Sequence, residues 1–165
     1  MSTRGALWAV STHFNPCHYR QRLSNPRVFR ERLGVPLLTV ELSCDGVFEL
    51  EPGDADRVLQ LSTHDVLWQK ERLLNLAIAT LPESCDAVAW LDGDVLFERQ
   101  DWGADARRLL ETFALVQLYS HFTDLPRDGG GSHAAPRADV PEDDPHPGPR
   151  ATCRARRPAA GSSFR

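Results

Sequence analysis

Residues 87–97 read Ala87-Val88-Ala89-Trp90-Leu91-Asp92-Gly93-Asp94-Val95-Leu96-Phe97, an apolar run that ends abruptly in two carboxylates one residue apart. Helix-like stretches flank the run, so it reads as a strand buried on both faces of a parallel sheet. The carboxyl end of such a strand faces the ligand crevice of an open α/β sheet. Two acids carried to a buried edge repel each other and lose hydration, which calls for a cation, a proton or a hydrogen-bond cage. A hard divalent ion holding an anionic ligand meets that need. The plain alternative for a glycine between acids is an Asp-Gly turn at the tip of a surface hairpin.

Working outward, Leu7–Val10 is a short apolar run that gives way to Ser11-Thr12-His13-Phe14-Asn15-Pro16, a first strand with a loop on the ligand side. Tyr19–Leu33 carries apolar residues at helical spacing among five arginines, and predicts an amphipathic helix interrupted near Pro26 and ended by Gly34. Val35–Leu42 is rich in Val, Leu and Thr and predicts a second strand; Val47–Leu50 and Val58–Leu61 predict two more. Ser62 and Asp65 have the spacing of a capping box, which predicts a helix over Val66–Leu81 with Leu67, Leu74, Ile78 and Leu81 on one stripe. After the strand at Ala87–Leu91, Gly103–Phe113 predicts a helix and Leu115–Tyr119 a further strand. Strands alternating with helices imply an α/β fold with a mostly parallel sheet and flanking helices.

Composition divides the chain. From Arg127 to Arg165 there are six prolines, five glycines and seven alanines, with only Val140, Cys153 and Phe164 as larger apolar side chains. Such a segment cannot offset its ordering entropy by burial, so residues 1–126 are expected to fold and 127–165 to form a disordered tail. The net charge of −4 hides an acidic folded part, with 12 basic against 18 acidic side chains in residues 1–126. That balance argues against a nucleic-acid partner, since basic patches drive such binding. A compact phosphate pocket needs only a few local cations and a metal. Cys17, Cys44, Cys85 and Cys153 show no paired spacing, so free thiols are expected rather than a zinc site or a disulfide framework. No stretch reaches the ~18 apolar residues of a membrane span, and a cytoplasmic location is the default expectation.

The strand followed by Asp92-Gly93-Asp94, late in an α/β half, resembles the nucleotide-binding half of a GT-A-fold glycosyltransferase over residues 6–126. The resemblance implies a nucleotide-diphospho-sugar donor, an acceptor it does not specify, and a divalent metal, Mn2+ or Mg2+, bridging the diphosphate. It puts Asp92 on the ribose or metal side and Asp94 on the metal. Thr12, His13 and Asn15 fall where that family begins its nucleotide pocket, and Glu41, at the end of the second strand, resembles an acid that reads base or ribose. Lys70, the only lysine in the chain, and Arg72 sit near a helix start where they can meet a phosphate or sugar, against the plain reading of a solvated helix face. Arg20 lies near enough to the first loop to reach a diphosphate.

Haloacid-dehalogenase-like phosphatases also end a strand in Asp-x-Asp, but on their first strand and with a downstream lysine. Here strands precede the motif and Lys70 lies upstream. A calcium loop needs oxygen ligands at alternate positions after the second Asp, where Val95, Leu96 and Phe97 stand instead. A complete GT-A enzyme continues into an acceptor-side half that supplies the base of inverting enzymes and often a late metal ligand. His121 and Asp124 are the candidates this chain offers. The change of composition at Arg127 suits a GC-rich reading frame that is shifted or cut short, so the donor half alone is expected.

Overall fold

The computed structural model describes residues 5–67 and 69–120. Within them the chain alternates strand and helix: β1 Ala6–Phe14, α1 Arg20–Leu33, β2 Leu37–Ser43, β3 Arg57–Ser62, α2 Lys70–Ala79, β4 Cys85–Trp90 and α3 Trp102–Leu109. The four strands form one sheet in the order β3-β2-β1-β4, and every pairing is parallel. This is the expected α/β architecture. The chain therefore grows from β1 through β2 to β3 on one side, and then returns to place β4 on the other side of β1. That reversal is the topological switch point of an open sheet, with its crevice outside the carboxyl ends of β1 and β4.

Helices cover both faces. Leu7 and Ala9 of β1, Leu37 of β2 and Ala87 and Ala89 of β4 pack with Phe29 and Leu33 of α1 and Trp102 and Ala106 of α3. Val10, Leu38, Val40, Leu42 and Val88 point the other way, onto Leu73, Leu74 and Ala77 of α2. β1, β2 and β4 read as near-continuous apolar runs because both of their faces are largely buried, whereas β3, an edge strand, has no buried residue. All seven residues of β2 are buried.

Several local expectations are corrected. The helix of residues 20–33 runs through Pro26 and ends on Gly34, whose φ of 71° is the left-handed conformation glycine adopts freely. Residues 47–50 form no strand; they are a loop held by side chains, described below. The helix expected from Val66 begins at Lys70, with Gln69 as N-cap and no side-chain cap, and Leu67 lies exposed rather than on the buried stripe. Residues 115–119 pair with no strand among the described residues. The strand that leads into the two acids, expected to be enclosed by a parallel sheet, is an edge of that sheet among the described residues. Cys17, Cys44 and Cys85 are free thiols. No helix among the described residues is long and apolar enough to cross a membrane. The expected tail at 127–165, with His121, Asp124 and Cys153, lies outside the described residues.

Candidate functional site

The sheet's carboxyl edge carries two polar groupings, one on each side of the end of β1. The first follows β4. The amide of Leu91 donates to the Val10 carbonyl at 3.1 Å, which fixes the exit of β4 against β1. The next residues form a tight turn in which the Val95 amide donates to the Asp92 carbonyl at 3.3 Å. Among the described residues no antiparallel strand follows, so the Asp-Gly pair is not a hairpin tip there. Neither Gly93 nor Asp94 is in the left-handed region, and a Cβ on Gly93 would lie 3.4 Å from Ser11 Oγ and 3.7 Å from Pro26 Cγ, ordinary contact distances. The fold by itself leaves room for a side chain at 93.

Asp92 and Asp94 are both exposed. Burial therefore does not force a cation on them, contrary to the argument from a buried edge; water solvates both. Asp92, with 58% of its side chain accessible, is ion-paired through Oδ1 to Nζ of Lys70, the first residue of α2. Asp94 makes no hydrogen bond or ion pair among the described residues. Arg72, one residue beyond Glu71 in the same first turn, is exposed and also unpaired there. No three His, Cys, Asp or Glu side chains converge on a metal position among the described residues. The two carboxylates nevertheless suit Mg2+ or Mn2+ as a donor set, because magnesium is commonly bound through one or two carboxylates with substrate phosphates and water completing its shell.

The second grouping lies over β1 and β2, around a cleft lined in part by His13, Asn15, His18, Glu41, Asp45 and Glu49. Glu41 is 2% exposed and accepts the Glu49 and Leu50 amides at 2.5 and 3.2 Å on one oxygen and Gln60 Nε2 at 3.0 Å on the other. One oxygen thus anchors the 44–50 loop and the other holds Gln60 of β3, so both are engaged within the protein. The loop in turn delivers Glu49, which accepts from His13 Nε2 and Asn15 Nδ2, each at 2.9 Å, and from His18 Nδ1 at 2.8 Å. The other nitrogen of His18 donates to Asp45 at 2.8 Å. An imidazole that donates from both nitrogens is an imidazolium.

The hydrogen bonds to Glu49 and Asp45 accordingly raise the His18 pKa above 6.5. His18, the Val47 amide and Ser43 hold Asp45 down to about 2. Burial pushes Glu49 up, but donation from His13, His18 and Asn15 outweighs it and the net shift is downward. Asn15 also organises the start of α1, since its Oδ1 accepts the Tyr19 amide at 3.0 Å. Thr12, half-buried, sits within β1 in register with Val40.

The structure thus brings Lys70 to Asp92, and His13 and Asn15 to Glu49. Thr12 and Arg72 join neither set of contacts. Arg20 is exposed, and it is Arg22 that reaches the end of β1, donating to the Phe14 carbonyl at 2.9 Å. Arg27 and Arg30 of the same helix pair with Asp54 and Asp56. Sequence reasoning missed His18, Asp45 and Glu49. The chemistry of Glu49 depends on partners 31 to 36 residues away in the chain, and no local pattern marks it.

The chain matches no protein-family model, and no curated protein is similar to it. Among solved structures, a crystal structure of Rv0371c from Mycobacterium tuberculosis is similar at 13% identity and a TM-score of 0.47, over 73% of this chain and 69% of that one.

Proposed function

We propose that this chain is a GT-A-like donor-binding domain that takes a nucleotide-diphospho-sugar together with a divalent metal, Mn2+ or Mg2+, at Asp92 and Asp94. The observation that carries the reading is the position of the Asp92-Gly93-Asp94 turn, at the carboxyl end of β4 beside the end of β1, where an open parallel sheet reverses direction. A bound divalent ion would neutralise charge developing on the diphosphate leaving group. This chain's own residues do the rest. Lys70 brings a cation to the same turn, and the first amides of α2, which no side chain caps, offer donors of the kind that bind phosphate. Gly93 puts no side chain of its own between the two acids. The cleft over β1 and β2, with Asn15 and Glu49, lies on the adjoining side for the nucleoside.

Glycosyl transfer is the chemistry that accompanies this reading, and a nucleotide-sugar-binding module without transfer is its non-catalytic form. One observation favours a different enzyme. Lys70 against Asp92 is also an arrangement that suits an acid nucleophile of the haloacid-dehalogenase-like phosphatases. That alternative sits poorly with an edge strand preceded by three others. Asp92-dependent hydrolysis of p-nitrophenyl phosphate would favour it.

The test is a thermal-shift screen of nucleotide sugars with and without manganese, since a ligand that binds the native state raises Tm by mass action. We expect a manganese-dependent rise with at least one nucleotide sugar, and its loss in Asp94→Ala with the ligand-free Tm unchanged. A nucleotide affinity unaltered in Asp94→Ala, measured by calorimetry, would refute the assignment.

A further inference from the structure

We propose that Lys70 is a built-in competitor of the metal: it occupies Asp92 in the empty site, disfavours a divalent ion arriving alone, and turns to the phosphate when metal and diphosphate arrive together. The inference rests on the reading of Asp92 and Asp94 as the metal–nucleotide site.

Three observations carry it. The ammonium of Lys70 is ion-paired with Asp92 Oδ1, one of the four carboxylate oxygens the turn offers. The lysine is the better held of the two partners, with 22% of its side chain accessible against 58% for Asp92, so the acid is the partner open to an incoming ligand. Asp94, two residues on, is exposed and engages no group among the described residues. The empty turn is therefore one satisfied acid beside one free acid. A divalent ion alone meets Asp94 together with the repulsion of an ammonium already on Asp92. A diphosphate changes the balance, because it supplies anionic oxygens for the lysine as well as ligands for the ion. Release of Asp92 then accompanies capture of the phosphate, which couples the two ligands reciprocally.

The coupling predicts effects of opposite sign from one substitution. With Lys70→Met, manganese alone should bind more tightly, by about fivefold, the change that the water-screened interaction of unit charges a few ångströms apart produces in an equilibrium constant. UDP or GDP in the presence of manganese should bind more weakly, by about tenfold, through loss of a charged hydrogen bond. Lys70→Arg should stay near the wild type in both. Free manganese is read by electron paramagnetic resonance in titrations of the three full-length proteins, UDP and GDP binding by calorimetry, and folding by circular dichroism.

A lysine that merely props up the helix start would move both affinities the same way, or neither. Manganese affinity unchanged or lowered in Lys70→Met overturns the proposal, as does failure of both proteins to bind millimolar manganese. If Lys70→Met tightens manganese while UDP and GDP bind neither protein, the competition is supported and the nucleotide reading is what fails.

Discussion

Replacing Gly93 by alanine separates what the fold requires from what a ligand requires. The turn at 92–95 has no residue in the left-handed region, and a Cβ at 93 meets Ser11 Oγ at 3.4 Å and Pro26 Cγ at 3.7 Å. Turns of this kind accept most residues. With no steric penalty in the folded state, Gly93→Ala acts on the unfolded chain, whose conformational freedom it reduces, and should stabilise by about 0.4–1 kcal/mol. For a domain of this size that is a rise in Tm of roughly 2–5 °C. Binding should move the other way. A methyl group where a phosphate packs against the backbone is an overpacking of about 1–3 kcal/mol, or roughly five- to a hundredfold in affinity. Thermal unfolding of the ligand-free protein and calorimetry with a diphosphate nucleotide in manganese read the two effects separately. A fall of several degrees in Tm would refute the geometry argued for the turn. Unchanged nucleotide affinity would refute the argument that the glycine is there for a ligand.

Two further substitutions test the second grouping. Glu41→Ala removes the acceptor of the buried Leu50 amide and of the Glu49 amide, and should cost about 2–5 kcal/mol in urea unfolding, since each unmet buried donor costs about 1–3 kcal/mol; full stability with lost ligand binding would restore Glu41 as a reader of base or ribose. His18→Asn, chosen because asparagine tolerates the φ of 51° found at 18, should lower Tm in a pH-dependent way. A raised histidine pKa contributes stability that is complete below 6.5 and lost as pH rises through the higher folded value, while Asp45, held to about 2, contributes above 3.8 and loses its part as pH falls. The difference between the two proteins should thus be largest between those limits and shrink in alkali; a constant difference across the range would refute the imidazolium bridge.

The strands were legible because a buried parallel strand must be apolar on both faces, and Leu37 to Ser43 and Cys85 to Trp90 leave little room for another reading. The acidic turn was legible as a position, but not in its electrostatics. Sequence spacing cannot tell a solvated acid from a buried one, and the partner that neutralises Asp92 lies 22 residues upstream. The start of α2 is the one the pattern misplaces, whereas those of α1 and α3 fall within a residue of the expectation. Val66 and Leu67 have the periodicity of a buried stripe, yet both are exposed, and the Ser62 and Asp65 that resemble a capping box end β3 and enter a turn where the Asp65 amide donates to Thr63 Oγ1. Glu49 was invisible for a different reason: the 47–50 segment has the residues of a strand, and only the buried carboxyl of Glu41, reaching across eight and nine residues, makes it a loop.

The acidic turn is moored at both ends. Upstream, Leu91 is bonded to Val10; downstream, Phe97 stacks on Trp102 with ring centroids 4.4 Å apart, and the Trp102 indole donates to the Leu33 carbonyl at 2.8 Å. Only residues 92–96 lie between the moorings. So short a tether has little slack and little entropy left to surrender, and the backbone that carries its carboxylates is set before any ligand arrives. Capture at this turn should then need only the side-chain exchange of Lys70 off Asp92 and no slower backbone rearrangement, so that its observed rate climbs linearly with ligand concentration over the millisecond range, with selectivity expressed in how long the ligand stays.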